Sequence, residues 1–109
     1  MPVWLNRVMS DLETLSARLM DLAAQGKTTT YGALAQSMGW RVAVLTEALE
    51  QLMEEDAALG RPFRAAMLEA KLTPGLPAPG FFQKAAALGV QREDHSAFVM
   101  AERKALMRR

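Results

Sequence analysis

One short run has the residue types of acid–base chemistry, Arg92-Glu93-Asp94-His95-Ser96, and it contains the only histidine of the chain. A histidine works as a general base when a nearby carboxylate orients its ring. Side chains that are adjacent in sequence at the start of a helix rarely point at one substrate. Helix capping explains why Asp94 and Ser96 occur here. The run therefore predicts the beginning of a helix rather than a catalytic site.

The composition excludes several other kinds of site. Cysteine is absent, which removes disulfides, thiolate metal sites and cysteine nucleophiles. With one histidine and no cysteine, the sequence has no pair of such residues at the spacing of a metal site. The run Gly26-Lys27-Thr28 lacks the upstream glycines that would cradle a phosphate. We therefore expect a non-enzymatic protein with no metal, no cofactor and no small-molecule substrate.

Length and charge set further bounds. The 109 residues predict a single domain over residues 1–109. No apolar run approaches the roughly 20 residues that cross a bilayer, and the N-terminus lacks a basic leader followed by an apolar stretch, so we expect a cytoplasmic protein. The net charge of +1, from 13 basic and 12 acidic residues, does not indicate nucleic-acid binding by itself.

The first half of the chain predicts three helices. An apolar stripe with three-and-four spacing predicts a long helix over residues 2–24, ended by Gly26: Leu5, Val8, Met9, Leu12, Leu15, Leu19 and Leu22. Residues 27–30 are expected to be extended, with Thr30 capping a helix over residues 31–38 that Gly39 ends. A third helix over residues 41–56 is expected to bury one side: Val42, Leu45, Leu49, Leu52 and Met53.

The second half predicts a wing and further helices. The composition of residues 63–72 fits a helix, but their position before the Pro/Gly-rich turn of residues 73–80 favours an alternating strand. Short helices are expected over residues 81–88 and 95–109, the last one capped by Asp94 or Ser96. The predicted fold class is mainly α (α+β), a winged helix-turn-helix with a long N-terminal helix, a small wing sheet and additional C-terminal helices.

The run Lys27-Thr28-Thr29-Thr30-Tyr31-Gly32-Ala33-Leu34-Ala35, followed by Gly39, resembles the winged-helix DNA-binding part of alkylguanine DNA alkyltransferases and alkyltransferase-like proteins. In that family a Thr/Ser-Tyr pair opens the first helix of the helix-turn-helix, and the tyrosine works at the DNA backbone during nucleotide flipping. The resemblance covers residues 26 to about 52 and implies this role for Tyr31.

Two parts of the family pattern are missing. The chain has no Pro-Cys-His-Arg-Val run, and residues 42–45 stand where the family inserts an arginine into the DNA stack. The resemblance therefore implies DNA binding without alkyl transfer. Residues 60–62 and 75–82 are also similar to small uncharacterised bacterial proteins of winged-helix type, to which no activity is attached.

These observations predict a small bacterial regulator or accessory factor that binds double-stranded DNA. Thr30 and Tyr31 are expected to meet the backbone at the helix start, and Arg41 to probe the groove. Salt-sensitive phosphate contacts are expected from basic residues on the wing and in the C-terminal tail: Arg61, Arg64, Lys71, Arg108 and Arg109.

The third predicted helix favours a different function. Residues 41–56 contain one basic and five acidic residues, a local net charge of −4, and carboxylates on the exposed side would repel phosphate. The alternative is a protein-interaction module that keeps the winged-helix scaffold without binding DNA. Trp40 and Val44 would then form an apolar edge for a protein partner, and the stripe on the first helix would allow a homodimer.

Overall fold

The computed structural model describes the backbone of residues 3–108 and the side chains of residues 11–108. The described chain is mainly helical with one two-stranded sheet. Its elements are α1 (Val3–Gln25), β1 (Thr29–Thr30), α2 (Tyr31–Met38), α3 (Val42–Ala58), a 3₁₀ helix (Arg64–Met67), β2 (Leu68–Glu69), α4 (Pro79–Ala87) and α5 (His95–Met107). Within these residues, no helix has both the length and the apolar character needed to cross a membrane.

The predicted first helix is confirmed as α1. Leu15, Leu19 and Ala23 of its apolar stripe are buried, and Leu12 and Leu22 pack partly against the core. The stripe positions Leu5, Val8 and Met9 lie outside the described side chains. The helix ends where Gly26 takes a left-handed conformation, with φ of 65°, which residues with a Cβ rarely adopt.

Local signals position α2 and the turn after it. The Thr30 hydroxyl accepts a hydrogen bond from the Ala33 amide at 3.1 Å, which confirms the predicted cap. Gly39 closes the helix with φ of 70°, and the Trp40 amide then donates to the Ala35 carbonyl at 2.9 Å. The turn is therefore short, and α3 begins at Val42.

The third predicted helix is confirmed as α3, with one correction. Leu45, Leu49, Leu52 and Met53 are buried as expected. Val42 was expected on the same buried side, but 48% of its surface is exposed. It lies in the first turn of α3, where it lines an open cleft and so remains about half exposed to solvent.

The predicted wing strand over residues 63–72 is wrong for most of its length. Residues 64–67 form the 3₁₀ helix, and only Leu68–Glu69 is a strand. The residues of this segment do not alternate between buried and exposed, because it passes between α1, α3 and α5 and buries several in a row. These are Phe63, Ala65, Ala66, Met67 and Leu68.

The sheet joins the two halves of the described chain. β2 pairs in parallel with β1, with Thr29 opposite Leu68 and Thr30 opposite Glu69. The predicted extended conformation before α2 is therefore confirmed. After β2 the chain makes a tight turn in place of a second long wing strand, because the Ala70 amide donates to the Leu76 carbonyl at 2.8 Å.

Aromatic contacts set the positions of α4 and α5. The Phe63 ring meets the Phe81 ring edge-on, with 5.9 Å between the ring centroids, and meets the Phe98 ring in the same way at 6.4 Å. Asp94 caps α5 by accepting a hydrogen bond from the Ala97 amide at 3.0 Å. This packing places α4 beside α3.

Candidate functional site

An open cleft of about 270 Å³ lies between α3 and the beginning of α4. Leu49, Met53 and Phe81 contribute buried apolar surface to it. Val42, Thr46 and Glu50 line it from positions four residues apart, a spacing that puts them on one side of α3. The walls are predominantly apolar, so the cleft suits an apolar group.

Tyr31 forms another wall of the cleft, and its hydroxyl has a partner within the chain. The hydroxyl accepts a hydrogen bond from the Ala78 amide at 3.0 Å. Burial raises the pKa of Tyr31 above its ordinary value of 10.0, although the Ala78 hydrogen bond and the charge of Arg103 act in the opposite direction. Tyr31 therefore holds the proline-rich segment before α4 against the start of α2.

The acidic side chains of α3 divide into paired and unpaired ones. Lys84 lies 3.7 Å from Glu54, and Arg61 lies 2.9 Å from Glu55. Within the described part of the chain, no basic side chain comes within 4.0 Å of Glu47 or Glu50. Glu50 lines the cleft, and Glu47 lies three residues before it on α3, so carboxylates without a basic partner among the described residues lie in the cleft wall and next to it.

Arg61 and Arg64, two of the predicted phosphate-binding residues, are ion-paired with Asp56. The Asp56 side chain is fully buried. It lies 3.2 Å from the Arg61 Nε and 2.9 Å from the Arg64 Nη2, and it also accepts a hydrogen bond from the Arg64 amide at 3.0 Å. Both arginines thereby hold the loop after α3 against the end of that helix.

The other predicted DNA-binding residues lie on separate elements. Arg41 precedes α3, Lys71 lies in the turn after β2, and Arg108 follows α5. All three are exposed, and none of them pairs with an acidic side chain among the residues described. The Thr30 hydroxyl serves as the α2 cap, and Arg109 lies outside the described residues. Contact of these residues with DNA stays a prediction.

Trp40 and Val44, the residues predicted for a protein partner, differ in exposure. Trp40 is partly buried and packs against the core, whereas 47% of the Val44 surface is exposed. Both line a small depression that is separate from the main cleft and is also lined by Glu47. Their contact with a partner also stays a prediction.

Arg103 has a structural role that the sequence did not indicate. Its guanidinium donates hydrogen bonds to the carbonyls of Ala66, Gly75 and Leu68, at 2.7, 2.9 and 3.3 Å. Burial lowers the pKa of Arg103, while Glu69 and Tyr31 raise it. Arg103 connects α5 to β2 and to the turn after it, and no spacing in the sequence indicates these contacts.

The run around His95 serves packing and capping. The His95 ring stacks on the Phe82 ring, with 3.8 Å between the centroids and 4° between the planes. Asp94 is the cap of α5, so its carboxylate does not orient the histidine. No group of three histidine, cysteine or acidic residues in the described part of the chain could hold a metal ion.

The cleft itself was not predicted from the sequence. The one available signal was the carboxylates expected on the exposed side of the third helix, to which Glu50 belongs. The approach of Phe81 and Ala78 to that side depends on contacts between distant parts of the chain. Those contacts have no local sequence pattern.

Comparison with known proteins gives no relative: no protein family, no curated protein and no solved structure matches this chain. The resemblance to the DNA-binding part of alkyltransferases therefore stays a prediction. A function for this chain has to be argued from the chemistry of the cleft and of the surrounding surface.

Proposed function

We propose that this protein is a non-enzymatic protein-interaction module. In this proposal the cleft between α3 and α4 receives an apolar side chain of a partner segment, and basic side chains of the same segment pair with Glu50 and Glu47. One observation carries it: an apolar cleft opens to solvent beside carboxylates that have no basic partner in the described chain.

The size and lining of the cleft support an apolar side chain as its occupant. Its volume of about 270 Å³ lies just below the range for small-molecule pockets, which is about 300–1,000 Å³. Val42 adds half-exposed apolar surface at the mouth. Burying such surface contributes about 25 cal/mol per Å², and a single buried anchor supplies much of the affinity of many interfaces.

The charge beside the cleft supports a basic partner. Glu47 and Glu50 lie next to each other on the helix surface, three residues apart. Complementary charge increases the association rate and excludes partners of the wrong sign. Phosphate would be repelled by the same carboxylates, so this side of α3 favours lysine or arginine side chains over nucleic acid.

We infer that the scaffold is a variant of the winged helix-turn-helix. The short α2, the tight turn at Gly39 and the longer α3 support this. In this arrangement α3 occupies the place of a recognition helix, and the partner docks on its exposed side.

Selection of random peptides displayed on phage against the immobilised protein tests the proposal. We expect enrichment of peptides with a leucine, methionine or phenylalanine next to lysine or arginine. The Thr46→Arg variant, which places a long cation at the cleft, should not enrich them. The control Ala58→Arg adds the same residue at an exposed position at the end of α3, away from the cleft, and should enrich them as the wild type does.

Two results of this selection would contradict the proposed function. One is the absence of any peptide enriched above the starting library. The other is equal enrichment by the wild type and Thr46→Arg, since a site elsewhere on the surface would then bind the peptides.

Double-stranded DNA binding is the second candidate function. The observation that favours it is the exposure of Arg41, Lys71 and Arg108, which lack an acidic partner within the described residues. A mobility-shift assay with mixed duplex DNA should then show a complex that weakens steeply with salt and on Arg41→Ala. The control Arg92→Ala removes an exposed arginine elsewhere. No complex at low salt excludes this candidate.

A further inference from the structure

The exposed side of α5 carries an apolar and basic stripe. Met100 and Met107 are 69% and 50% exposed. Lys104 lies between them, and Arg108 follows. The small residues Ala97 and Ala101 lie on the same side, because each of the six positions lies three or four residues from at least one other. Methionine side chains adapt to irregular apolar surfaces, so this stripe is suited to docking.

The stripe has the chemistry that the cleft requires. Lys104 and Arg108 have no acidic partner within 4.0 Å in the part of the chain that is described, and Glu47 and Glu50 have no basic one. The rise of about 1.5 Å per residue places Met100 and Met107 about 10 Å apart. The same rise places Val42 and Glu50 on α3 about 12 Å apart, so the two surfaces match in length.

The two surfaces do not cover each other within one molecule. Val42 on α3 and Met100 on α5 are both exposed in the same chain. The charged residues Glu47, Lys104 and Arg108 are exposed as well, and Glu50 is partly exposed. α5 uses its other side internally, where Glu102 accepts a hydrogen bond from the Phe63 amide and Arg103 binds three carbonyls. The exposed stripe is therefore available to a second molecule.

We propose that the occupant of the cleft is the exposed stripe of α5 from a second copy of this chain. This proposal rests on the proposed function, since it identifies the partner of the same cleft. A methionine of one copy enters the cleft of the other, and Lys104 or Arg108 pairs with Glu50 or Glu47. The contact joins two different surfaces, the cleft of one copy and the α5 stripe of the other. A closed dimer therefore needs a twofold axis, so that the same contact is made twice between the two copies.

Sedimentation equilibrium of the full chain over a wide range of concentrations tests the proposal. We expect the average mass to rise above that of the monomer and to fall again at high salt, because screening weakens the charge pairs. Glu50→Lys and Lys104→Glu should each weaken association by about tenfold, since each places like charges together. The double variant restores opposite charges and should recover association to within about threefold of the wild type.

Two further variants serve as matched controls. Glu13→Lys and Arg92→Glu make the same charge changes at exposed positions on α1 and before α5. Both should associate as the wild type does. All substituted positions lie on the surface, and circular dichroism confirms that each variant is folded before its mass is measured.

Three results would overturn the proposal: a monomer at every concentration, association that neither single reversal weakens more than its control, and a double variant that fails to recover. Peptide selection separates this failure from failure of the proposed function. If the protein is a monomer but still enriches apolar–basic peptides through the cleft, the dimer is wrong and the partner of the cleft is another protein. If the protein is a monomer and enriches no peptide, both the dimer and the proposed function are wrong.

Discussion

At the scale of single residues, charged and polar side chains hold the second half of the described chain in place. Asp56 pairs with Arg61 and Arg64 in the loop after α3. Arg64 and Arg103 also donate hydrogen bonds to groups far along the sequence. A buried charge is tolerated only where it is paired and hydrogen-bonded, so these contacts depend on one another. Substitution at such a position should reduce stability more than an equal change on the surface.

Asp56→Ala tests the buried ion-pair cluster. The substitution leaves Arg61 and Arg64 without their buried partner, and breaking a buried pair from one side costs about 3–5 kcal/mol. Urea denaturation measures the free energy of unfolding. The control Glu54→Ala breaks an exposed pair with Lys84 and should change it by about 0.5 kcal/mol or less. Similar losses in the two variants would contradict the importance of Asp56.

Tyr31→Phe tests whether the tyrosine hydroxyl serves the fold. The substitution removes the acceptor of the Ala78 amide, which should cost about 1 kcal/mol and accelerate hydrogen exchange at that amide. Exchange measured by NMR gives an internal control, because the Ala97 amide keeps its Asp94 acceptor. Unchanged exchange at Ala78 would show that the hydroxyl does not hold the proline-rich segment.

Glu102→Gln tests a pH effect. Burial raises the pKa of Glu102 above its ordinary 4.5, Asp56 raises it further, and the Phe63 amide and Arg92 oppose the shift. The folded state therefore binds this proton more tightly than the unfolded state. The resulting stability is complete below pH 4.5 and is lost as pH rises through the folded-state pKa.

Glutamine keeps the acceptor for the Phe63 amide without titrating. The free energy of unfolding of Glu102→Gln should therefore rise relative to the wild type between pH 4.5 and neutrality. Urea denaturation at several pH values measures this difference, and Glu93→Gln serves as an exposed control that should show no trend. A relative loss of stability with rising pH would contradict the effect of burial.

At the scale of elements, the helices were predictable because their signals are local. The bounds of α2 follow from Thr30 and Gly39, which begin and end it through their own conformations and bonds. The strand prediction for residues 63–72 failed because a strand depends on its neighbour. β1 has only two residues before α2 begins at Tyr31, so β2 has only two residues with which to pair.

The candidate site was less predictable than the helices, since its parts come from distant positions. The hydrogen bond between Tyr31 and Ala78 spans 47 positions along the chain. Arg61 and Arg64 looked like cations available to DNA, and only the reversal of the chain at Gly60, where φ is 65°, brings them back to Asp56. Periodicity identifies the exposed side of α3, but not what faces it.

Thr30→Ala tests the beginning of α2, which also positions Tyr31 in the cleft wall. Loss of the cap should reduce the free energy of unfolding by about 1 kcal/mol, as measured by thermal or urea denaturation. Thr30→Ser keeps a hydroxyl at the same position and should retain most of that stability. An equal loss in both variants would mean that the methyl group of Thr30, rather than its hydroxyl, matters.

At the scale of the whole molecule, a net charge of +1 conceals a separation of charge. Arg61, Arg64 and Lys84 pair with carboxylates in the second half of α3, whereas Glu47 and Glu50, earlier on the helix, have no basic partner among the described residues. Lys104 and Arg108 are exposed at the end of α5. In the described part of the chain, acidic side chains on α3 and basic side chains on α5 therefore each lie beside exposed apolar side chains.

The central claim is that the cleft between α3 and α4 is where a partner docks. Calorimetric titration of one selected apolar–basic peptide into the wild type, Thr46→Arg and Ala58→Arg tests it most directly. We predict that Thr46→Arg weakens binding of the peptide by about tenfold or more, because the new arginine occludes the cleft and repels the basic peptide. The dissociation constant of Ala58→Arg should stay within about twofold of that of the wild type. Equal dissociation constants for all three proteins would contradict the claim.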